Sequence, residues 1–336
     1  MCTHLEKSRN LNHNNESISS GKGLNVLSLC DGMSCGHIAL DKVGIKVDKY
    51  FAAEIKEIAI KVTKDKYPET IHIGDVNKVS YSNGILYTES GEFETEIDLM
   101  IFGSPCQSFS IAMKSDMRIG IEDTKRSGLF LECYRILKEV HPKFFLMENV
   151  ASMRKEDKDF ITKLLGVEPL KINASIVSPE LRDRLYWTNL NPKNEILKKN
   201  IKLNDILIDG WSDRDKARSL LVSDSRPLTT PVKMFHRYYS TGFTTLIFKS
   251  ESHFKECVDE YKRITHGEKI KAVDLDNYVG NVFDGVRYLN QEELEKCQCV
   301  PSGYTKCLSR NEAADVLGDG WNIDVIVYLF SGLLDN

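Results

Sequence analysis

Leu24-Asn25-Val26-Leu27-Ser28-Leu29-Cys30-Asp31-Gly32-Met33-Ser34-Cys35-Gly36 decides how the chain folds. Leu24–Leu29 is a short apolar run, the length of a buried strand rather than of a helix. It ends in a turn of small residues with two glycines, which allow a tight bend and a close approach of backbone to ligand. Helix-like periodicity follows over Cys35–Val43.

The same alternation continues outward. Val47–Ala53, Ile71–Ile73, Ile97–Phe102 and Lys143–Met147 read as strands, and Ile55–Lys66, Gly128–Val140 and Asp157–Leu165 as helices. Short apolar strands alternating with helices predict an α/β domain with a mostly parallel sheet. Beyond residue 190 polar, aromatic and basic residues mix without a clear period. Helical character returns from Asn290, and Ile323–Phe330 is strongly apolar. We therefore expect an arm over 1–22, an α/β domain over 23–189 and 287–336, and a smaller, variable region over 190–286.

Composition narrows the function classes. The 336 residues carry a net charge of −4 and are 41% hydrophobic and 28% charged, which fits a globular chain and not a disordered one. A protein that coats nucleic acid nonspecifically is usually basic overall, so any such contact here must come from local patches. The arm lacks a signal peptide's apolar stretch, and no run of about 18 apolar residues spans a membrane. Nine cysteines without framework spacing fit reduced thiols in a cytoplasmic protein. Cys297, Cys299 and Cys307 do not form the paired motifs of a structural zinc site, and no metal is expected.

Open parallel sheets bind ligands beyond the carboxyl ends of their strands. Here those ends carry Cys30 to Gly36, Glu54, Asp75-Val76, Gly103-Ser104-Pro105-Cys106 and Glu148-Asn149-Val150, so the acids Glu54, Asp75 and Glu148 and the cysteine Cys106 converge on one rim with the first turn. An acid about 20 residues after a glycine turn suits ribose hydroxyls, and Glu54 has that spacing from Gly32. Asp75 suits an adenine amino group. No phosphate-cradling G-x-x-x-x-G-K-[ST] occurs. Cys106 follows a proline that stiffens its approach; it reads either as a nucleophilic thiolate or as an inert buried thiol. Arg182 and Arg184, two apart on a strand, would share one face with Asp183 opposite. They suit an anion or a solvated charged strand equally.

Taken in order, these residues resemble the DNA cytosine-C5 methyltransferases, with the flavour of the animal de novo enzymes in a stand-alone bacterial or phage-type chain. Leu27–Gly36 looks like the family's first S-adenosylmethionine (AdoMet) motif. Gly103-Ser104-Pro105-Cys106-Gln107-Ser108 matches the nucleophile motif, Glu148-Asn149-Val150 the motif whose glutamate contacts the target cytosine, and Arg182-Asp183-Arg184 the paired-arginine motif. Arg287-Tyr288-Leu289 with Glu293 and Pro301 to Tyr304 is similar to a late motif that supports the recognition domain. Gly318 to Phe330 is similar to the last motif, which closes the AdoMet pocket. Cys30 stands where the family usually has phenylalanine, Cys35 breaks the common glycine pattern, Glu180 replaces a usual glutamine, and Asp319 a usual asparagine or basic residue.

The resemblance implies an AdoMet-dependent methyltransferase fold. Leu29, Cys30, Asp31, Gly32, Met33, Ser34, Cys35, Gly36, Glu54, Ile55, Asp75, Val76, Pro105 and Trp321 would form the cofactor site, and Cys106, Glu148, Arg182 and Arg184 the catalytic group. It implies addition of Cys106 to C6 of a cytosine flipped from double-stranded DNA. Gln107 to Ser127 would be a loop that closes over the base, with Gln107 and Ser108 at the DNA. Arg226, Lys233 and Arg237 interleave with Phe235, His236, Tyr238, Tyr239 and Phe243, which suits either DNA contacts or a solvated hairpin with an aromatic cluster. A homodimer and a companion restriction enzyme belong to the same expectation. Its alternatives are an RNA cytosine methyltransferase, whose Cys-Phe-Thr signature is absent, and a non-catalytic regulatory homologue.

Overall fold

The computed structural model describes residues 22–103, 128–192, 194–220 and 230–334. The arm before residue 22, Pro105, Cys106, Gln107, Ser108, the rest of the 107–127 loop and Arg226 lie outside the described residues.

Twelve strands are described: β1 Leu24–Leu29, β2 Val47–Ala53, β3 Ile71–Gly74, β4 Ser80–Ser82, β5 Ile85–Thr88, β6 Gly91–Glu94, β7 Leu99–Phe102, β8 Phe144–Val150, β9 Leu170–Asn173, β10 Glu180–Leu181, β11 Asp183–Thr188 and β12 Ala217–Arg218. The α-helices are α1 Cys35–Val43, α2 Glu57–Lys66, α3 Gly128–Val140, α4 Lys155–Leu165, α5 Pro231–Thr241, α6 Glu251–Thr265, α7 Gln291–Cys297, α8 Arg310–Asp319 and α9 Ile323–Phe330. Seven strands form one sheet in the order β3-β2-β1-β7-β8-β11-β9. All its pairings are parallel except those of β11, which runs antiparallel to β8 and β9. The fold is thus the α/β class read from the alternation. Strand order reverses between β1 and β7, the switch point where such sheets open a crevice.

Successive side chains on a strand face opposite ways, and the central strands bury both faces. Leu24 and Val26 of β1, Leu99 and Ile101 of β7, and Phe144 and Leu146 of β8 enter one core with α1 and α9. Leu27, Leu29, Met100, Phe102 and Met147 enter a second core with Phe130, Cys133 and Ile136 of α3. Burial on both faces explains why these strands are nearly continuous in apolar residues. Gly36 lets α1 lie directly on the sheet, since a Cβ there would fall 2.1 Å from Ile101 Cδ1. Among the described residues the last α-helix, α9, packs on the first, α1.

Several details differ from the sequence reading. β8 extends through Glu148, Asn149 and Val150 instead of ending before them. Arg182 is the residue between β10 and β11, so the two arginines do not share a regular strand face. The small antiparallel sheet β4-β5-β6 carries no strong apolar run and was not expected. Within 190–286, α5 and α6 build a core of their own around Val232, Phe235, Tyr238, Cys257 and Tyr261. The aromatic and basic mixture over 230–243 is therefore largely one amphipathic helix, with Val232, Phe235 and Tyr238 at helical spacing on its buried face.

Candidate active site

The residues at the strand ends gather around one cleft of about 450 Å³, within the ~300–1,000 Å³ that small-molecule sites occupy. Its walls include Cys30, Asp31, Gly32 and Cys35 from the first turn, Glu54 and Ile55 after β2, Asp75 and Val76 after β3, Glu148 on β8, Arg182, Arg184 and Trp321. Leu29, Met33, Ser34 and Gly36 do not line it. They are buried behind the turn and shape it from below.

The turn is more contorted than its two glycines foretell. Gly32 has φ of 61°, but so do Cys30 at 54° and Ser34 at 61°. A left-handed conformation costs a non-glycine residue about 1–2 kcal/mol. Side-chain bonds offset part of this: Ser34 Oγ donates to Asp31 Oδ2 (2.5 Å) and lies 3.0 Å from Thr63 Oγ1. From the far end of the chain, Tyr304 Oη donates to the Met33 carbonyl at 2.8 Å.

Asp31 also accepts from Tyr50 Oη at 2.8 Å. Burial pushes its carboxyl up to about 6, against the pull of hydroxyls on Ser28, Ser34 and Tyr50. Cys35 is buried and pushed up to about 12. It therefore serves as a neutral packing group, with Sγ accepting from Trp321 N at 3.3 Å. Glu54 Oε2 accepts from Gly32 N (2.7 Å), and its Oε1 from Ile55 N and Lys56 N (2.8 Å each), so it ties the turn to the start of α2. A carboxylate offers about four lone-pair directions. A diol that takes two bonds from Glu54 must therefore share or displace one of these three. Asp75 Oδ1 accepts from Asn77 N (3.0 Å) and Nδ2 (2.8 Å).

The opposite wall is charged. Glu148 pairs with Tyr186 and Arg184 with Val150 in the β8–β11 register, so Glu148 and Arg184 are diagonal neighbours on one face, and Arg184 Nε lies 2.8 Å from Glu148 Oε1. This approach compensates charge without hydrogen-bond alignment, so that buried oxygen lacks an aligned donor among the described residues. Arg182 is 3% exposed and acts differently. Its Nη2 donates to the carbonyls of Gly318 (3.0 Å) and Gly320 (2.5 Å), holding the wall that carries Trp321. Glu180 is fully buried beside it, and burial raises its carboxyl above the usual range.

Several wall residues have no motif to announce them, among them Lys56, Asn77 and Val316. Lys56 bonds Asp315 (2.9 Å) and Asp319 (2.8 Å), so the start of α2 is tied to α8 across the cleft wall. Leu129 arrives from α3 and Val316 from α8, both distant in the chain from the first turn. Of the expected DNA contacts, Lys233 pairs with Asp276, and Arg237 lies on α5 near the exposed Tyr239 and Phe243. Arg287 ties the 190–286 region to α7 by pairing with Asp209 and with Glu293 (2.7 Å). Among the described residues no group of acids, histidines and cysteines is arranged for a metal, and no helix is long and apolar enough to cross a membrane.

Residues 24–167 match the model of the C-5 cytosine-specific DNA methylases. The chain is 32% identical over 193 residues to a type II methyltransferase, M.NgoBV, of Neisseria gonorrhoeae; the match takes in 51% of this chain and 42% of that protein. It is 31% identical over 202 residues to the orphan methyltransferase M.SPRI of Bacillus phage SPR, with 56% and 43% covered. The chain thus spans less than half the length of these two relatives. Among solved structures, the Entamoeba histolytica methyltransferase EhMeth has a TM-score of 0.63 at 20% identity, covering 94% of this chain and 98% of that one. The S. pombe Dnmt2 methyltransferase has a TM-score of 0.61 at 15% identity, covering 93% and 98%. At these identities the two structures speak to the fold.

Proposed function

We propose that this chain, which carries a C-5 cytosine-specific DNA methylase domain over residues 24–167, methylates C5 of cytosine in double-stranded DNA with AdoMet as the donor. The observation that carries the reading is the Glu148–Arg184 pair in the wall of a cleft whose other walls hold Asp31, Glu54 and Asp75. The cleft's size and the acids Asp31, Glu54 and Asp75 in its wall fit a cationic nucleoside cofactor. Glu54 would hold the ribose hydroxyls and Asp75 the adenine amino group, while Trp321 closes the apolar side. When bound, the cofactor supplies a methyl group on a positively charged sulfur.

Cytosine C5 is a weak nucleophile, and covalent catalysis solves this. The Cys106 thiolate adds to C6, forming the C6–S bond and shifting the C5=C6 electron pair so that C5 can take the methyl group. Loss of the C5 proton to a base and departure of the thiolate restore the C5=C6 bond. The products are 5-methylcytosine, the demethylated donor and one proton. Glu148 shares the proton that stabilises N3 of the adduct, an electrostatic role, and Arg184 fixes its position and compensates its charge. Arg182 works at one remove, through the Gly318–Trp321 wall. The base must first leave the duplex, at a cost of a few kcal/mol. In this reading residues 23–189 and 287–336 form the catalytic domain. Residues 190–286 read the DNA, through Arg226 and Arg237 with the exposed rings of Tyr239 and Phe243; Lys233, paired with Asp276, contributes less.

The test is base-resolution 5-methylcytosine sequencing of unmethylated DNA after incubation with protein and AdoMet. Methylation confined to one short context is expected, and Cys106→Ala should abolish it while AdoMet still binds. Turnover surviving in Cys106→Ala would refute covalent catalysis through this residue. AdoMet binding with no DNA product would refute the DNA substrate and favour RNA or a regulatory role.

A further inference from the structure

The sheet β4-β5-β6 lies between β3 and β7 in the chain, and nothing in the proposed reaction uses it. Its tip, however, touches the loop after β3, which lines the cleft. The β5–β6 turn is braced by Thr88, whose Oγ1 donates to the Gly91 carbonyl (2.8 Å) and accepts from Ser90 N (3.2 Å). That bracing presents Glu89 to the loop after β3. Glu89 Oε2 accepts from Asp75 N at 2.9 Å, and its Oε1 pairs with Lys78 Nζ at 2.9 Å. Gly74 has φ of 81°, and a Cβ there would fall 2.5 Å from Glu89 Oε2, so the carboxylate sits directly over the Gly74–Asp75 peptide. Gly74, Asp75, Val76 and Asn77 all line the cleft. The base of the small sheet is fixed as well. Tyr81 N donates to Glu139 Oε2 (2.9 Å) and Arg135 Nη2 to the Val79 carbonyl (2.8 Å), both partners lying on α3.

We infer that Glu89 is a positioning residue for the adenine side of the cofactor site, with the β4-β5-β6 sheet acting as a brace between α3 and the Asp75 loop. The inference rests on the AdoMet site proposed above. The mechanism is orientational: Asp75 meets the cofactor with its side chain, and Glu89 fixes the peptide from which that side chain departs. Removing the acceptor frees the Gly74–Asp75 peptide, whose glycine has many alternative conformations. Ordering that loop must then be supplied at each binding event.

Calorimetric titration of the full chain with AdoMet and with adenosine tests this. Glu89→Ala should raise Kd for both ligands about tenfold, a factor equivalent to 1.4 kcal/mol. Glu89→Gln keeps an acceptor for Asp75 N and should recover most of the affinity. Glu92→Ala, on the exposed face of β6, should change nothing. kcat at saturating AdoMet and KM for DNA should stay unchanged, whereas a general folding defect would lower kcat with the active fraction. Glu89 is exposed, so truncation leaves the cores intact; Glu89→Asp, which withdraws the acceptor by one methylene, provides a milder second variant. If wild type binds AdoMet and Glu89→Ala and Glu89→Asp bind it equally well, this inference fails alone. If wild type binds no AdoMet, the proposed cofactor site fails and takes the inference with it.

Discussion

Replacing Asp31 with asparagine should stabilise the protein at neutral pH and change how its stability responds to pH. The Asp31 carboxyl is raised from 3.8 to about 6, chiefly by burial. A folded-state value above the unfolded one means that the native state binds the extra proton between these two pH values. Stability therefore falls as pH rises from about 4 to about 6 and levels off above that. At 1.36 kcal/mol per pH unit, the gap corresponds to about 3 kcal/mol. Asp31 keeps some exposure to the cleft, so this is an upper bound. Asparagine does not titrate, and it can retain partners because the hydroxyls of Tyr50 and Ser34 can each reorient as donor or acceptor. With about 2.1 cal/mol/K per residue of unfolding entropy, the wild-type deficit amounts to a Tm lower than that of Asp31→Asn by up to about 4 °C at neutral pH. The gap should close near pH 4. Calorimetric or circular-dichroism melts of both proteins across that range provide the assay. A stability difference independent of pH, or a wild type that gains on Asp31→Asn as pH rises, would refute the argument. A bound cation would offset the same cost, so AdoMet affinity of the wild type should increase with pH through about 6, and that of Asp31→Asn should not.

Other changes separate structural from binding roles. Arg182→Met removes the donor to the Gly318 and Gly320 carbonyls and should cost about 3–5 kcal/mol, the usual penalty for breaking a buried charged network; urea denaturation measures it, and a loss under 1 kcal/mol would count against Arg182 as the holder of this wall. Lys56→Met breaks partly exposed pairs to Asp315 and Asp319, worth about 0.5–1 kcal/mol to folding. Its melting temperature should therefore hardly move, while AdoMet dissociation followed by stopped flow should quicken about fivefold.

Much of the fold is legible because two-faced burial leaves a strong local mark. β1, β2, α1 and α3 have the limits expected, since each apolar run is bounded by a glycine, a charge or a change of period. The sheet β4-β5-β6 escapes because its strands are only three or four residues long and two of them are mostly polar, with Leu86 its sole fully buried side chain. The helix α5 escapes for another reason: with aromatics filling its buried stripe and basic residues between them, the same letters suit a binding surface or a small core. At the cleft, Asp31, Glu54, Asp75 and Glu148 stand where strand-end reasoning puts them, and Arg184 joins them from β11. Lys56 and Val316 do not declare themselves: Lys56 caps α2 just past the Glu54 strand end, and Val316 comes from α8, far along the chain, and neither is marked as a wall residue by local periodicity.

Sequence by itself determined which chemistry is present and in what order: a glycine turn after a buried strand, acids at strand ends, a Pro-Cys pair and two arginines flanking an aspartate. These properties are local, set by the backbone needs of turns and by the two-residue period of strands. Tertiary structure decided how the two arginines divide their work. The antiparallel pairing of β11 with β8 makes Arg184 the diagonal neighbour of Glu148 on one face, while the break between β10 and β11 turns Arg182 toward carbonyls more than 130 residues away in the chain. It also decided that Glu89 meets Asp75. Such contacts depend on strand register and on the path of the chain between elements, and neither is written in any short stretch of residues.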